Sequence, residues 1–232
     1  MSEAELNDSD VERMHSVPVW DWPVRLFHWA IVVLVVVSVV SGRTGGNAMV
    51  YHMYSGYTLL GLVLFRLLWG IVGSTYARFS HFVHGPRSIS KYAKTLFKRT
   101  PSYTLGHNPL GGLMVVGLLL ALLVQAGTGL FANDDIFIEG PLAKLVSKDI
   151  SDWLTGIHAT NIDLLFILIG LHVLAVLYYL LYKRENLITP MVIGNKDVPN
   201  TPAEIVIFPS LWRALILGLI IGGIMYLLVT QI

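Results

Sequence analysis

Two histidines, His158 and His172, stand fourteen residues apart in a stretch otherwise suited to lipid. From Leu164 to Tyr182 the chain is apolar except for His172. That length and composition predict a membrane-spanning helix. Fourteen steps at 3.6 residues per turn return to nearly the same face, and at about 1.5 Å per residue they set the imidazoles roughly 21 Å apart along the axis. A charged side chain in mid-bilayer costs about 2.5–3.5 kcal/mol on insertion scales, so ionisable groups at that depth tend to be functional. A metal ion holds its ligands at about 2 Å. These two imidazoles cannot share one ion, and each needs its own partner from elsewhere in the chain. The alternative for either is a neutral imidazole bonded to a neighbouring helix.

The rest of the chain supplies the elements that could bring such partners. It has 232 residues, 54% of them hydrophobic and only 13% charged. A soluble domain carries about 25% charged residues, so the expected class is all-α: an integral membrane helical bundle of about five spans. A net charge of +1 gives no argument for nucleic-acid binding. The absence of cysteine excludes disulfides, thiolate-held iron–sulfur clusters, a Cys-x-x-Cys pair and covalent haem attachment. No cleavable signal peptide is expected, since residues 1–17 are polar and acidic and the first apolar run is long enough to span.

In order, residues 1–17 read as a solvated, disordered tail. Asp21 is a candidate N-cap with Pro23 in the first turn, opening a first helix from about Trp22 to Gly42 that carries His28. A second helix runs from about Val50 to Gly73, with His52 at its start and Arg66 fourteen residues deeper on the same face. Residues 74–109 form a long basic connection in which Ile89, Tyr92, Ala93, Leu96 and Phe97 have helical spacing, read as a surface helix on the membrane. A third helix, about Leu110 to Phe131, carries Gln125 and Gly129. An acidic loop over 132–152 leads into the fourth helix, which holds His158 and His172. The fifth runs from about Leu211 to Val229. The expected units are a tail over 1–17, a bundle over 18–195, and a loop plus fifth helix over 196–232.

Orientation follows the basic residues. Twelve Lys/Arg fall on the side of the tail, the 74–109 connection and the 183–213 segment, against Arg43, Lys144 and Lys148 on the other. The N-terminus is expected in the cytoplasm, with residues 132–152 facing outward. Depths can then be compared. His28 lies fourteen residues before Gly42, and His172 lies fourteen residues below His158. His52 opens its helix level with His158. The four sort into an inner pair, His28/His172, and an outer pair, His52/His158, each shared between two helices. That arrangement fits two six-coordinate haem irons in a four-helix core. Arg66 and Arg25 could pair haem propionates. Gly42, Gly56, Gly61 and Gly129 could admit a flat macrocycle or close helix contacts. His81, His84 and His107 read as solvated loop residues, His107 being the main competitor as an inner ligand. His15 and Asp163 receive no role.

Several strings resemble the bacterial cytochrome b-561 family, in particular its branch of b-type cytochrome subunits of nickel–iron hydrogenases: Trp20-Asp21-x-Pro23-x-Arg25-Leu26-Phe27-His28-Trp29, His52-x-x-x-Gly56, Phe65-Arg66-Leu67-x-Trp69, Gly106-His107-Asn108-Pro109-Leu110-Gly111, Thr128-Gly129 and Leu171-His172-x-x-Ala175. The match covers roughly residues 18–195. The resemblance implies a di-haem b cytochrome of the bacterial inner membrane that exchanges electrons with the quinone pool. Carried over, the family's haem ligands are His28, His52, His158 and His172. It implies a periplasmic partner, either a hydrogenase or a c-type cytochrome, and quinone as substrate. The alternatives are a stand-alone superoxide–quinone oxidoreductase, against which the fifth span counts mildly, and a non-redox membrane anchor. A homodimer is among the partners considered.

Overall fold

The computed structural model describes residues 14–136, 138–199 and 205–230. Residues 1–13 of the expected tail lie outside that range. Asp21 stops the extended N-terminal chain by accepting the Val24 N–H at its Oδ1, 2.8 Å away, and with Pro23 in the first turn it opens α1, Trp22–Thr44. The β-branched run inside α1 stays helical because in lipid the backbone must bond to itself. Gly45 and Gly46, both at positive φ, turn the chain directly into α2, Met49–Val72. After a short connection come α3, Phe79–Phe82, and α4, Pro86–Ala93. Asn108 accepts the Gly111 N–H and caps α5, Pro109–Gly129. The long α6, Lys148–Leu181, has 34 residues. At about 1.5 Å each these make roughly 51 Å, well beyond a ~30 Å hydrocarbon core. A short α7, Ile188–Ile193, precedes the last span α8, Leu211–Thr230.

Among the described residues, five helices are long and apolar enough to cross a membrane: α1, α2, α5, α6 and α8. Their outer faces expose large apolar side chains such as Val36, Ile167, Leu174 and Leu219, which water would not tolerate and lipid accepts. The molecule is a nearly all-α, multi-pass membrane protein. Sequence and structure agree on the span boundaries to within a few residues, because long apolar runs and caps are local signals.

Two antiparallel hairpins make the core. α1 packs along α2, α5 along α6, and α2 joins the hairpins by packing on α5. α8 lies on the outside of α2, where Gly61 lets Met225 and Ile221 approach. α1 and α6, by contrast, barely touch. A slot therefore runs between them.

One end of this bundle is closed by a cap that the hydropathy pattern does not predict. Strand β1, His15–Pro18, pairs antiparallel with β2, Asn195–Val198, and the N–H groups of Val19 and Trp20 continue the ladder onto the Gly194 carbonyl. Structured chain thus begins before residue 18, and β2 straddles the 195/196 boundary. Gly194 sits at φ +97°, where a Cβ would stand 2.9 Å from the Trp20 carbonyl oxygen, so only glycine fits without strain. Beneath the ladder Val19, Trp20, Val24, Trp69, Tyr76 and Ala77 form a buried cluster. Glu185 and Lys196 make an enclosed ion pair at 2.7 Å. The second Glu185 oxygen accepts from the Ser102 N–H and hydroxyl, and Lys196 also donates to the Thr104 carbonyl. The surface helix α4 and the turn after it are held from α6. Tyr179 meets the Tyr92 hydroxyl at 2.8 Å, and the Tyr178 and Tyr182 hydroxyls donate to the Leu96 and Phe97 carbonyls.

Candidate functional site

The slot between the hairpins holds four histidines in two facing pairs. His52 stands in the first turn of α2 and His158 in α6, with ring centroids 6.0 Å apart. His28, in the second turn of α1, faces His172 of α6 with centroids 6.4 Å apart. Both pairings expected from depth are brought together. Metal–nitrogen bonds of about 2 Å, plus about 1 Å from each nitrogen to its ring centre, set two imidazoles on one ion roughly 6 Å apart. Each pair has that spacing.

The loop-end pair is seated with matching parts on each hairpin. His52 Nδ1 lies 2.8 Å from the Ser38 carbonyl oxygen on α1. His158 Nδ1 lies 2.8 Å from the Gln125 carbonyl oxygen on α5. With these N–H groups donating to backbone, the Nε2 lone pair of each ring is left for a metal. Four residues beyond each acceptor, one turn along the same face, stands a glycine. A Cβ on Gly42 would come within 2.7 Å of His52 Nδ1, and one on Gly129 within 2.9 Å of His158 Cε1. Each ring therefore rests against bare backbone. Gln125 also donates through its side chain to the His158 carbonyl, and Asn161 bonds both the Gln125 side chain and the Ala121 carbonyl. This buried polar network fixes α5 against α6. A cavity of about 380 Å³ opens beside the pair, lined by Gly42, Gly56, Gln125 and Gly129 among others, with Arg43 and Asp134 at its edge.

The capped-end pair has a different setting. His28 packs edge-on against Trp29, and its buried Nδ1 has no hydrogen-bond partner among the described residues. His172 makes no hydrogen bond among the described residues. Arg66 is buried over the rings of Phe79 and Phe82, and among the described residues neither terminal guanidinium nitrogen has a hydrogen-bond partner. No carboxylate pairs with it among the described residues. A buried cation left so is costly, and it fits a site that receives an anionic group. Arg25 is partly committed elsewhere: one terminal nitrogen donates to the Val192 carbonyl, and its guanidinium lies over Trp22.

His107 differs from its sequence reading. It is not a solvated loop residue but is enclosed in the cap, 4.7 Å from both Trp20 and Phe82. Burial, then the nearby Arg66 guanidinium and the imidazoles of His172, His28 and His81, push it down to about 3, so it is neutral at ordinary pH. It lies beside the capped-end pair without replacing either member. His84 turns its Nδ1 to the Phe82 carbonyl and His81 packs on Tyr76. The Ser38 and Gln125 acceptors were not legible, because a backbone carbonyl has no sequence signature. The glycines one turn beyond them were the available signal.

Two facing imidazole pairs, a cavity and close glycines beside one of them, and a buried arginine with no carboxylate partner among the described residues lie within one multi-pass membrane bundle. The chain belongs to the prokaryotic cytochrome b561 family, whose model matches residues 19–194. It is accordingly a b-type cytochrome, with haem b as its cofactor. It is similar to the probable Ni/Fe-hydrogenase B-type cytochrome subunit of Azotobacter vinelandii, 28% identical over 79% of this chain and 90% of that one. The same-named subunit of Bradyrhizobium diazoefficiens is 26% identical over 78% of this chain and 86% of its own length. The probable Ni/Fe-hydrogenase 1 B-type cytochrome subunit of Escherichia coli is 26% identical over 77% and 90%. No solved structure matches.

Proposed function

We propose that this chain is a di-haem cytochrome of the bacterial inner membrane that carries electrons between a periplasmic redox partner and the quinone pool. The observation that carries it is the pair of imidazole couples, 6.0 and 6.4 Å across, at two heights in one slot. His52 and His158 would hold one haem iron, and His28 and His172 the other. Bound haem supplies one-electron iron chemistry. The protein's part is to place two such stations roughly 21 Å apart along α6, so that charge crosses lipid in steps. Ser38 and Gln125 hold the loop-end imidazoles in the tautomer that ligates. Arg66, and through its remaining nitrogens Arg25, would take up propionate charge at the capped end.

The cap supports quinone over a soluble acceptor. Val19, Trp69, Tyr76, Ala77 and Phe82 are at most 1% exposed, and the β1–β2 ladder lies over that end. A water-soluble protein cannot approach there, whereas a lipid-dissolved quinone can reach the α1–α6 seam sideways, beside residues 74–109. The excess of basic residues on the capped side supports a cytoplasmic cap and N-terminus. The loop end then faces the periplasm, where the names of the relatives point to a nickel–iron hydrogenase as donor. A c-type cytochrome is the other candidate.

A pyridine haemochrome assay on the purified chain should give two haems b per polypeptide. His172→Ala should lose one and keep the other. One haem per wild-type chain, or loss of both from a variant that still folds, overturns the proposal.

A further inference from the structure

One cationic surface of the cap takes no part in the slot. Residues 74–109 hold six Lys/Arg and no Asp or Glu. Their apolar spacing predicts a helix lying on lipid, but Tyr92, Leu96 and Phe97 are bonded to the tyrosines of α6 instead. Ile89, Tyr92 and Ala93 are half-buried, whereas Arg87, Lys91, Lys94, Lys98 and Arg99 stay exposed. The turn after α4 wraps the end of α6. Lys183 is buried there and donates through Nζ to the carbonyls of Thr95, Lys98 and Thr100, at 3.4, 3.0 and 3.3 Å. These carbonyls are drawn inward, while the Arg99 and Thr100 N–H groups have no acceptor among the described residues.

Two arginines meet at this rim. Arg99 lies over the Tyr182 ring, 6.0 Å from its centroid, and that ring stacks on Tyr178. Two residues beyond Tyr182, Arg184 stands at φ +52°, the left-handed region that favours glycine. Its exposed guanidinium makes no hydrogen bond or ion pair among the described residues. An arginine kept where the backbone favours glycine fits a side chain with an external use. The adjacent carboxylate, Glu185, is turned inward onto Lys196. Apolar surface adjoins the charges. Phe97 is 82% exposed, and Leu181, Leu177 and Leu174 form an exposed strip along one face of α6. An aromatic ring at the end of a span, with Lys/Arg just past it, marks headgroup depth.

We propose that Lys98, Arg99 and Arg184 bind the headgroup of one anionic phospholipid in the leaflet on the capped side. Guanidinium groups hold phosphate through paired N–H donors, and cations beside a membrane surface draw anionic lipid. Phe97 and Leu181 meet the upper part of an acyl chain, and Leu177 and Leu174 the part below. A soluble polyanion would use the charges and leave that strip bare. The site is separate from the histidine pairs, so it stands or falls independently of the di-haem reading.

The test is native mass spectrometry of the haem-loaded full-length chain in neutral detergent, titrated with phosphatidylglycerol or with phosphatidylcholine. One phosphatidylglycerol should bind in preference to phosphatidylcholine, and inorganic phosphate should not displace it. Arg99→Gln and Arg184→Gly should each weaken that binding roughly five-fold. Arg184→Gly also takes a side chain out of positive φ, so its Tm should equal or exceed that of the wild type. Arg87→Gln, at the far end of the basic face of α4, is the control and should bind as the wild type does. Equal binding of the two lipids, displacement by inorganic phosphate, wild-type binding by either Arg99→Gln or Arg184→Gly, or an equal loss in Arg87→Gln would overturn the proposal.

Discussion

Gly42→Ala tests whether the loop-end imidazole depends on bare backbone behind it. A Cβ at position 42 would stand 2.7 Å from His52 Nδ1 and 3.0 Å from its Cε1. Non-bonded heavy atoms settle at about 3.5–4.0 Å, so the ring must withdraw by roughly 0.8–1 Å. The bond from Nδ1 to the Ser38 carbonyl starts at 2.8 Å, and such a retreat takes it past the ~3.2 Å limit of a good N–H···O contact. The loss is worth about 0.5–1.5 kcal/mol, and crowding adds about 1–3 kcal/mol. Position matters more than either figure. Metal–ligand distances hold to about 0.2 Å, so a shift several times larger takes His52 off its partner's axis. Disturbing groups behind a ligand typically lowers metal affinity about 10–100-fold. The expected result is a haem count falling from two toward one, with the capped-end haem retained and helix content unchanged. Gly129→Ala should do the same from the other hairpin, where the Cβ would stand 2.9 Å from His158 Cε1. Gly117→Ala, whose Cβ would meet nothing within 4 Å, is the control. A folded Gly42→Ala chain with two haems and wild-type absorption and resonance spectra would refute the reasoning.

Other expected outcomes concern the cap. Lys196→Met leaves Glu185 buried without its counter-ion, a change worth about 3–5 kcal/mol, and limited proteolysis should then cut within residues 183–198 at protease levels the wild type resists. Burial alone would raise the Glu185 carboxyl, but the Lys196 ammonium and the Ser102 donors outweigh it and hold the group below its ordinary value of 4.5. A depressed folded-state pKa gives stability that is complete above the unfolded value and is lost as pH falls through the folded one. Protease resistance of the cap should therefore be level from pH 7 to about 5 and decline below about 4.5, and Glu185→Gln should remove that decline. Asp21→Ala removes both the cap of α1 and the acceptor of the buried Trp69 indole, 2.9 Å away. Together these are worth about 2–4 kcal/mol, seen as a lower Tm in detergent that Asp21→Asn largely restores. Gly194→Ala forces a Cβ into positive φ against the Trp20 carbonyl, and about 1–3 kcal/mol of strain should loosen the β1–β2 ladder in amide exchange.

The amino-acid sequence by itself determined the five spans, the cap at Asp21, and where each of the four paired histidines falls along its helix. These depend on hydropathy and on the 3.6-residue period, which act within one segment. It also narrowed the pairing, since only His28 with His172 and His52 with His158 match in height. The tertiary structure alone decided that α1 and α6 stand apart to leave a slot. It alone set the Ser38 and Gln125 carbonyls behind two of the rings. It also took His107 out of solvent and folded residues 15–18 and 195–198 into a lid. The physical reason is the same in each case: a backbone carbonyl is present at every residue and marks none of them, and a strand pair closed across nearly the whole chain has no local period to betray it.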